Sequence, residues 1–213
     1  MKGVVLTSAY LAPVHYYAWL YAADTIWQES CEHYVKQTYR NRCVIAGPSG
    51  PIALTLPVEH GSGNRPATRD IRLSEHGNWR HLHWAALCSA YENSPYFEYY
   101  ADYFRPFYEN RFDYLVDFNE GLRETICHLL DLHPNVITTD CYLDSIPEGV
   151  LDLREIIRPK IPYEVDPSFS PVPYYQVFNS KTGFIPNLSM VDLLFNMGPE
   201  SRLVLRDSLR ISE

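Results

Sequence analysis

No stretch of the 213-residue chain approaches the about 20 consecutive apolar residues that a membrane-spanning helix requires. Positive charge is scarce as well. Eighteen lysines and arginines stand against 26 aspartates and glutamates, a formal charge of −8. That argues against nucleic acid as the main partner, because phosphate backbones are bound by basic surfaces. Paired cysteines are missing: Cys31, Cys43, Cys88, Cys127 and Cys141 are odd in number and share no short spacing. A disulfide framework and a zinc knuckle are therefore disfavoured, and reduced thiols in a cytoplasmic protein are expected. A secretory leader is also not expected. The apolar run Gly3-Val4-Val5-Leu6 stops at Thr7-Ser8, and Pro13 and His15 follow before a sufficient apolar core is reached, so a buried first strand is the better reading. No internal repeat is found.

At 213 residues the chain fits one domain, 1–213, able to bury roughly 70% of its unfolded surface, with 200–213 as a peripheral tail in a loosely attached helix. Aromatic residues are plentiful at 14%, with 17 tyrosines. Both a cleft walled by amphipathic rings, suited to a sugar, and a tyrosine-packed core account for them.

Val4–Thr7 reads as a strand, His15–Ala23 as a helix behind Pro13, and Thr25–Gln28 as a second strand. This βαβ start implies a parallel pair and puts the 8–13 loop at a strand's carboxyl end, where ligands of open α/β sheets bind. Tyr39 to Val58 reads as a β-hairpin across Gly47-Pro48-Ser49-Gly50, and 60–66 as a mobile loop. Ile71–Leu73 is a short strand. Three helices follow: one capped by Asn78, carrying Trp79, Leu82, His83, Leu87 and Tyr91 at helical spacing; one entered through Ser94-Pro95 and broken at Pro106; and one from Tyr114 to Leu130. Val136–Thr138 returns to strand, and the six prolines between Pro147 and Pro173 predict an extended surface wrap. Ser189-Met190-Val191-Asp192 has the form of a capping box, with Gly198-Pro199 ending the helix it opens. The fold class expected is α/β: a βαβ start, a mixed sheet containing the hairpin, and helices from the middle of the chain packed on it.

The most informative stretch is Tyr39-Arg40-Asn41-Arg42 at the head of the hairpin. A guanidinium grips phosphate or carboxylate bidentately and keeps its charge at any working pH. On a regular strand Arg40 and Arg42 face one side and Asn41 the other, so either the arginine pair or Asn41 faces a ligand. Lys36 and Gln37 just upstream can complete a donor-phosphate site. Asp24 and Glu29 bracket the second strand, and Glu29 is the better base because Lys36 and Arg40 are near it in sequence. His83 is a general base if it reaches the pocket and a hydrogen-bonded core histidine otherwise. His60, His76, His81 and His83 make no metal site, since His81 and His83 point apart on a helix. No metal or cofactor is expected. Cys43 reads as a small core residue. Tyr175, Gln176 and Asn187 lie in irregular segments and suit a ligand wall.

The blocks Tyr10-Leu11-Ala12-Pro13 with Tyr16-Tyr17 and Asp24, Lys36-Gln37-Thr38-Tyr39-Arg40-Asn41-Arg42, Leu54-Thr55-Leu56-Pro57-Val58, Ser94-Pro95-Tyr96-Phe97, and Tyr175-Gln176-Val177-Phe178 with Pro186-Asn187-Leu188-Ser189 run through nearly the whole chain. In this order they resemble the WbqC-like family, associated with bacterial O-antigen and surface-polysaccharide gene clusters. Many members carry Gln-Pro where this chain has Ser8-Ala9. The resemblance implies a transferase of surface-polysaccharide biosynthesis that moves a glycyl or other small acyl group onto an amino sugar. Its partner would be a small molecule, a sugar nucleotide or an activated acyl donor, with Glu29, His83 and Lys36 as catalytic candidates. Arg40, Asn41, Arg42, Asp24, Tyr10, Tyr17, Tyr175, Gln176 and Asn187 are the binding candidates. Two other readings stay open: a nucleotidylyl-transferase-like enzyme, from His15 near a helix start, and a non-catalytic glycan- or partner-binding module.

Overall fold

The computed structural model describes residues 3–59 and 65–210, so most of the loop expected at 60–66 lies outside the described residues. The chain opens with β1 (Gly3–Thr7), α1 (Val14–Ala22) and β2 (Ile26–Glu29), the expected βαβ unit. Two antiparallel pairs follow, β3 (Arg42–Ile45) with β4 (Ile52–Thr55) and β5 (Val58–Glu59) with β6 (Arg72–Leu73). Next come helices α2 (Trp79–Tyr91), α3 (Phe97–Glu109) and α4 (Leu115–Leu129), then β7 (Val136–Thr138) and β8 (Val150–Asp152). Short helices α5 (Asn179–Thr182), α6 (Met190–Met197) and α7 (Ser201–Asp207) close the chain. The class is α/β, with helices packed around a four-stranded parallel sheet of order β7-β2-β1-β8. The hairpin stands beside that sheet as its own two-stranded unit.

β1 is an inner strand, paired along both edges and buried along its whole length, and it reads as a nearly continuous apolar run, as strands covered on both faces do. Register sets the later argument. Thr7 lies opposite Glu29 on one side and Val5 opposite Asp152 on the other, so Glu29 and the residues after Asp152 reach the same carboxyl edge. α4 carries the expected stripe: Leu115, Phe118, Leu122 and Ile126 are buried. Among the described residues, no helix is long and apolar enough to cross a membrane.

Several local expectations are corrected. β8 joins the sheet inside the segment expected to be surface wrap, because residues 148–158 are free of proline and an edge strand needs only one bonded side. Pro106 sits inside α3 without breaking it. Its ring is exposed, so water can satisfy the carbonyl one turn back that loses its donor. Ser94 does not open α3; its hydroxyl donates to the Tyr91 carbonyl and closes α2. The capping box at Ser189 does not form, since Ser189 Oγ donates to the Leu11 carbonyl at 2.7 Å. Tyr39, Arg40 and Asn41 lie in a turn ahead of β3, so strand alternation does not separate Arg40 from Asn41, and both are buried. The tail from 200 is packed through Asp207: α7 lies against α1 and buries Leu205 completely.

Candidate functional site

The carboxyl edge of the parallel sheet holds the densest ionic chemistry. Glu29 ends β2 and is fully buried. Its Oε1 accepts the Cys31 N–H at 2.7 Å and the Thr139 hydroxyl at 3.1 Å; its Oε2 accepts the Leu143 N–H at 2.9 Å and Arg154 Nη1 at 3.4 Å. All four acceptor positions are engaged, so Glu29 ties the segments after β2, β7 and β8 together. With its acceptor positions engaged in this way, Glu29 has no open position for a substrate proton, unlike the free base expected from sequence. Arg154, just past β8, also donates to Asp152 at 2.7 Å and lies 4.9 Å from the Tyr142 ring centre. Hydrogen bonding to Asp152 drives the Arg154 guanidinium further above its ordinary range.

Next to this staple the chain turns through Cys31-Glu32-His33. Arg40 is 1% exposed, a cost that an ionic partner must offset. Its Nε donates to Glu32 Oε1 at 2.8 Å, and its Nη2 bonds the same oxygen. Glu32 Oε2 accepts no hydrogen bond among the described residues. Burial raises the Glu32 carboxyl above the ordinary range, with Arg40 pulling the other way. The pair lines a cleft of about 540 Å³ with Tyr142, Asp144, Glu155 and Arg158. Arg69 adds a donor at the edge, with Nη1 3.3 Å from Cys31 Sγ. The cleft thus joins a buried carboxylate, a half-exposed aromatic face and charges of both signs.

Of the residues singled out in sequence, Arg40 lines this cleft and Glu29 lies at the same edge. The others do not converge there. Lys36 is exposed on the neighbouring turn. Asn41 is buried and spends its amide on the Leu56 carbonyl at 3.0 Å, while Arg42 begins β3 opposite Thr55. Asp24 precedes β2 and borders a groove with Asn135 and Arg202 at the sheet's opposite end. Tyr17 is core. Tyr10 is also core, its hydroxyl 2.9 Å from His83 Nδ1 and 3.0 Å from the Tyr108 hydroxyl. His83 takes its core reading: burial pulls its pKa to about 4, and it bonds the Thr55 backbone. Tyr175 is exposed, whereas Gln176 is buried, bonding the Ile185 backbone and Asp192. Asn187 Oδ1 accepts the His15 N–H at 3.0 Å at the start of α1. Cys43 is buried as expected, its thiol pushed up by burial.

The loop from Ser8 to Pro13 is covered and presents no ligand surface, although it follows β1. His15 is equally enclosed: Nε2 lies 2.8 Å from Asp166 Oδ2 and the ring stacks on Phe169. With the first-turn N–H groups of Val14 and His15 already bonded to Leu188 and Asn187, the start of α1 offers no phosphate grip, which removes the support for the nucleotidylyl-transferase reading. Glu32, Tyr142 and Arg158 were missed in sequence. The rule that parallel strands present ligands at their carboxyl ends was applied to the loop after β1; the same rule applied to β2 leads to 30–33, and the proline-rich composition hid β8 and with it Arg154 and Arg158.

A family model described as the WbqC-like protein family matches residues 8–155. The uncharacterized protein Rv1507c of Mycobacterium tuberculosis is 27% identical over 195 residues, covering 81% of this chain and 84% of that protein. No solved structure matches.

Proposed function

The chain belongs to the WbqC-like family, and on that premise we propose that it is a transferase that moves a small acyl or aminoacyl group, such as glycyl, onto an amino sugar of a surface polysaccharide. The observation that carries this reading is the Glu32–Arg40 pair at the floor of a 540 Å³ cleft on the carboxyl edge of the parallel sheet. Arg40 fixes one oxygen of Glu32 and leaves the other for substrate. A carboxylate raised by burial is the better proton acceptor, so Glu32 takes over the role that sequence gave to Glu29 or His83. As the acceptor amine attacks the acyl carbonyl, the N–C bond forms, the bond from that carbonyl to the donor's leaving group breaks, and the amine proton passes to Glu32. Tyr142, with the Arg154 guanidinium near its ring, supplies a flat face for the sugar or the donor. Arg158 offers charge to the donor or to the developing oxyanion.

The test is mass spectrometry of the surface polysaccharide from a strain lacking this gene, complemented with variants whose protein levels are matched. The wild type and Asp24→Asn should restore a small acyl or aminoacyl substituent, and Glu32→Gln should not. An unchanged glycan in the deletion strain, or full restoration by Glu32→Gln, sinks the reading.

A further inference from the structure

A second concavity, of about 600 Å³, lies between the start of α2 and the end of α3 and shares no lining residue with the cleft at the sheet edge. Its size falls within the roughly 300–1,000 Å³ of small-molecule sites. The half-buried indole of Trp84 lies against it, backed by Tyr108, whose ring centre is 5.7 Å away at an interplanar angle of 31°. The Tyr108 hydroxyl is held by Tyr10 and Trp84 also meets Phe97, so this floor is rigid.

The charges around the floor cancel. Glu75 receives both terminal nitrogens of Arg80, at 2.7 and 2.8 Å, while Arg80 Nε bonds the Asn110 carbonyl. Arg105 Nε donates to Glu109 at 2.6 Å. Two guanidiniums against two carboxylates, each engaged with the other kind, leave no net charge to draw a phosphate or an amine. A lining with six polar side chains does not suit an apolar peptide either. The arrangement matches a ligand that lays an apolar face on an aromatic ring while its edge both donates and accepts hydrogen bonds.

A further observation comes from Asn78, which occupies the N-cap position of α2 yet makes no side-chain cap hydrogen bond. Its exposed amide, with one acceptor and two donors, lines the groove next to the exposed His81. Its amide is not committed to the start of α2 and is open to a ligand in the groove. We propose that the groove between α2 and α3 is a binding site for a neutral saccharide, with Trp84 under the sugar ring and Asn78 and His81 at its hydroxyls. This site is distinct from the cleft and does not depend on the transferase reading.

The experiment is a titration of the full chain with chitotriose and, separately, maltotriose, following the indole N–H resonances of its four tryptophans, with inorganic pyrophosphate as an ionic control. The Trp84 resonance should shift saturably at millimolar concentrations of at least one saccharide. Asn78→Ala, an exposed change that spares the fold, should weaken that binding about 3- to 10-fold, the range of one neutral hydrogen bond. The proposal is overturned if neither saccharide moves Trp84, if Asn78→Ala binds as tightly as the wild type, or if pyrophosphate moves Trp84 with comparable affinity.

Discussion

Two buried titratable groups contribute to the acid response of the fold with opposite slopes. Asp192 is wholly buried in α6 and accepts the Tyr174 hydroxyl at 2.7 Å and Gln176 Nε2 at 3.0 Å. Burial raises its pKa to about 6 from 3.8, so the folded chain holds this proton more tightly than the unfolded one. Its contribution is full at low pH and is lost as pH rises from about 4 to about 6, on the order of 3 kcal/mol in all. His83 works the other way. Burial pulls it to about 4 from 6.5, so its contribution is present above about 6.5 and is lost as pH falls toward 4, by a similar amount. These two contributions roughly offset each other across that window, on top of what other raised carboxyls such as Glu120 add in both wild type and variant. Asp192→Asn keeps an oxygen for Tyr174 and Gln176 but removes one slope. The variant should lose melting temperature more steeply than the wild type between pH about 6.5 and about 4 in thermal unfolding. Parallel curves would count against this account. Sequence placed Asp192 in a capping box because spacing shows only local partners; Tyr174 and Gln176 reach it from the preceding irregular segment.

Elements marked by their own run or stripe of apolar side chains were legible, and elements defined by tertiary company were not. The alternation from strand to helix to strand at the N-terminus and the stripe of α4 come from the side chains themselves, and both form as read. β8 was hidden because proline counts describe a whole stretch, while pairing with β1 needs only Val150 to Asp152. The end of α6 shows a local signal that tertiary packing reinforces. Gly198 has φ 54°, and a Cβ there would lie 2.5 Å from the Tyr96 ring, whereas Gly183, at φ 70°, has open space around the same position. Gly198→Ala should therefore cost both backbone strain and overpacking, on the order of 2 kcal/mol or more, and Gly183→Ala only the strain, about 1 kcal/mol. Denaturant midpoints check the order; equal losses would show that Tyr96 gives way freely.

Across the molecule, the parallel sheet decides where chemistry converges. Sequence found Arg40 through its polar motif and Glu29 through its strand end, but joined them to Lys36, His83 and Tyr175 by proximity in sequence and family pattern. Folding sends His83 to the core and Tyr175 to an exposed surface, and it brings in Glu32, Tyr142 and Arg158 from segments whose shared edge depends on β8 pairing with β1. The most direct measurement of whether that edge is the site is amide hydrogen exchange on the full chain, with and without a panel of nucleotide-activated amino sugars and the small-molecule extract of the native host. Protection is expected at residues 30–33, 139–144 and 154–158, and should fall away in Glu32→Gln. Protection confined to residues 8–17 and 175–187, or none at all, would contradict the account.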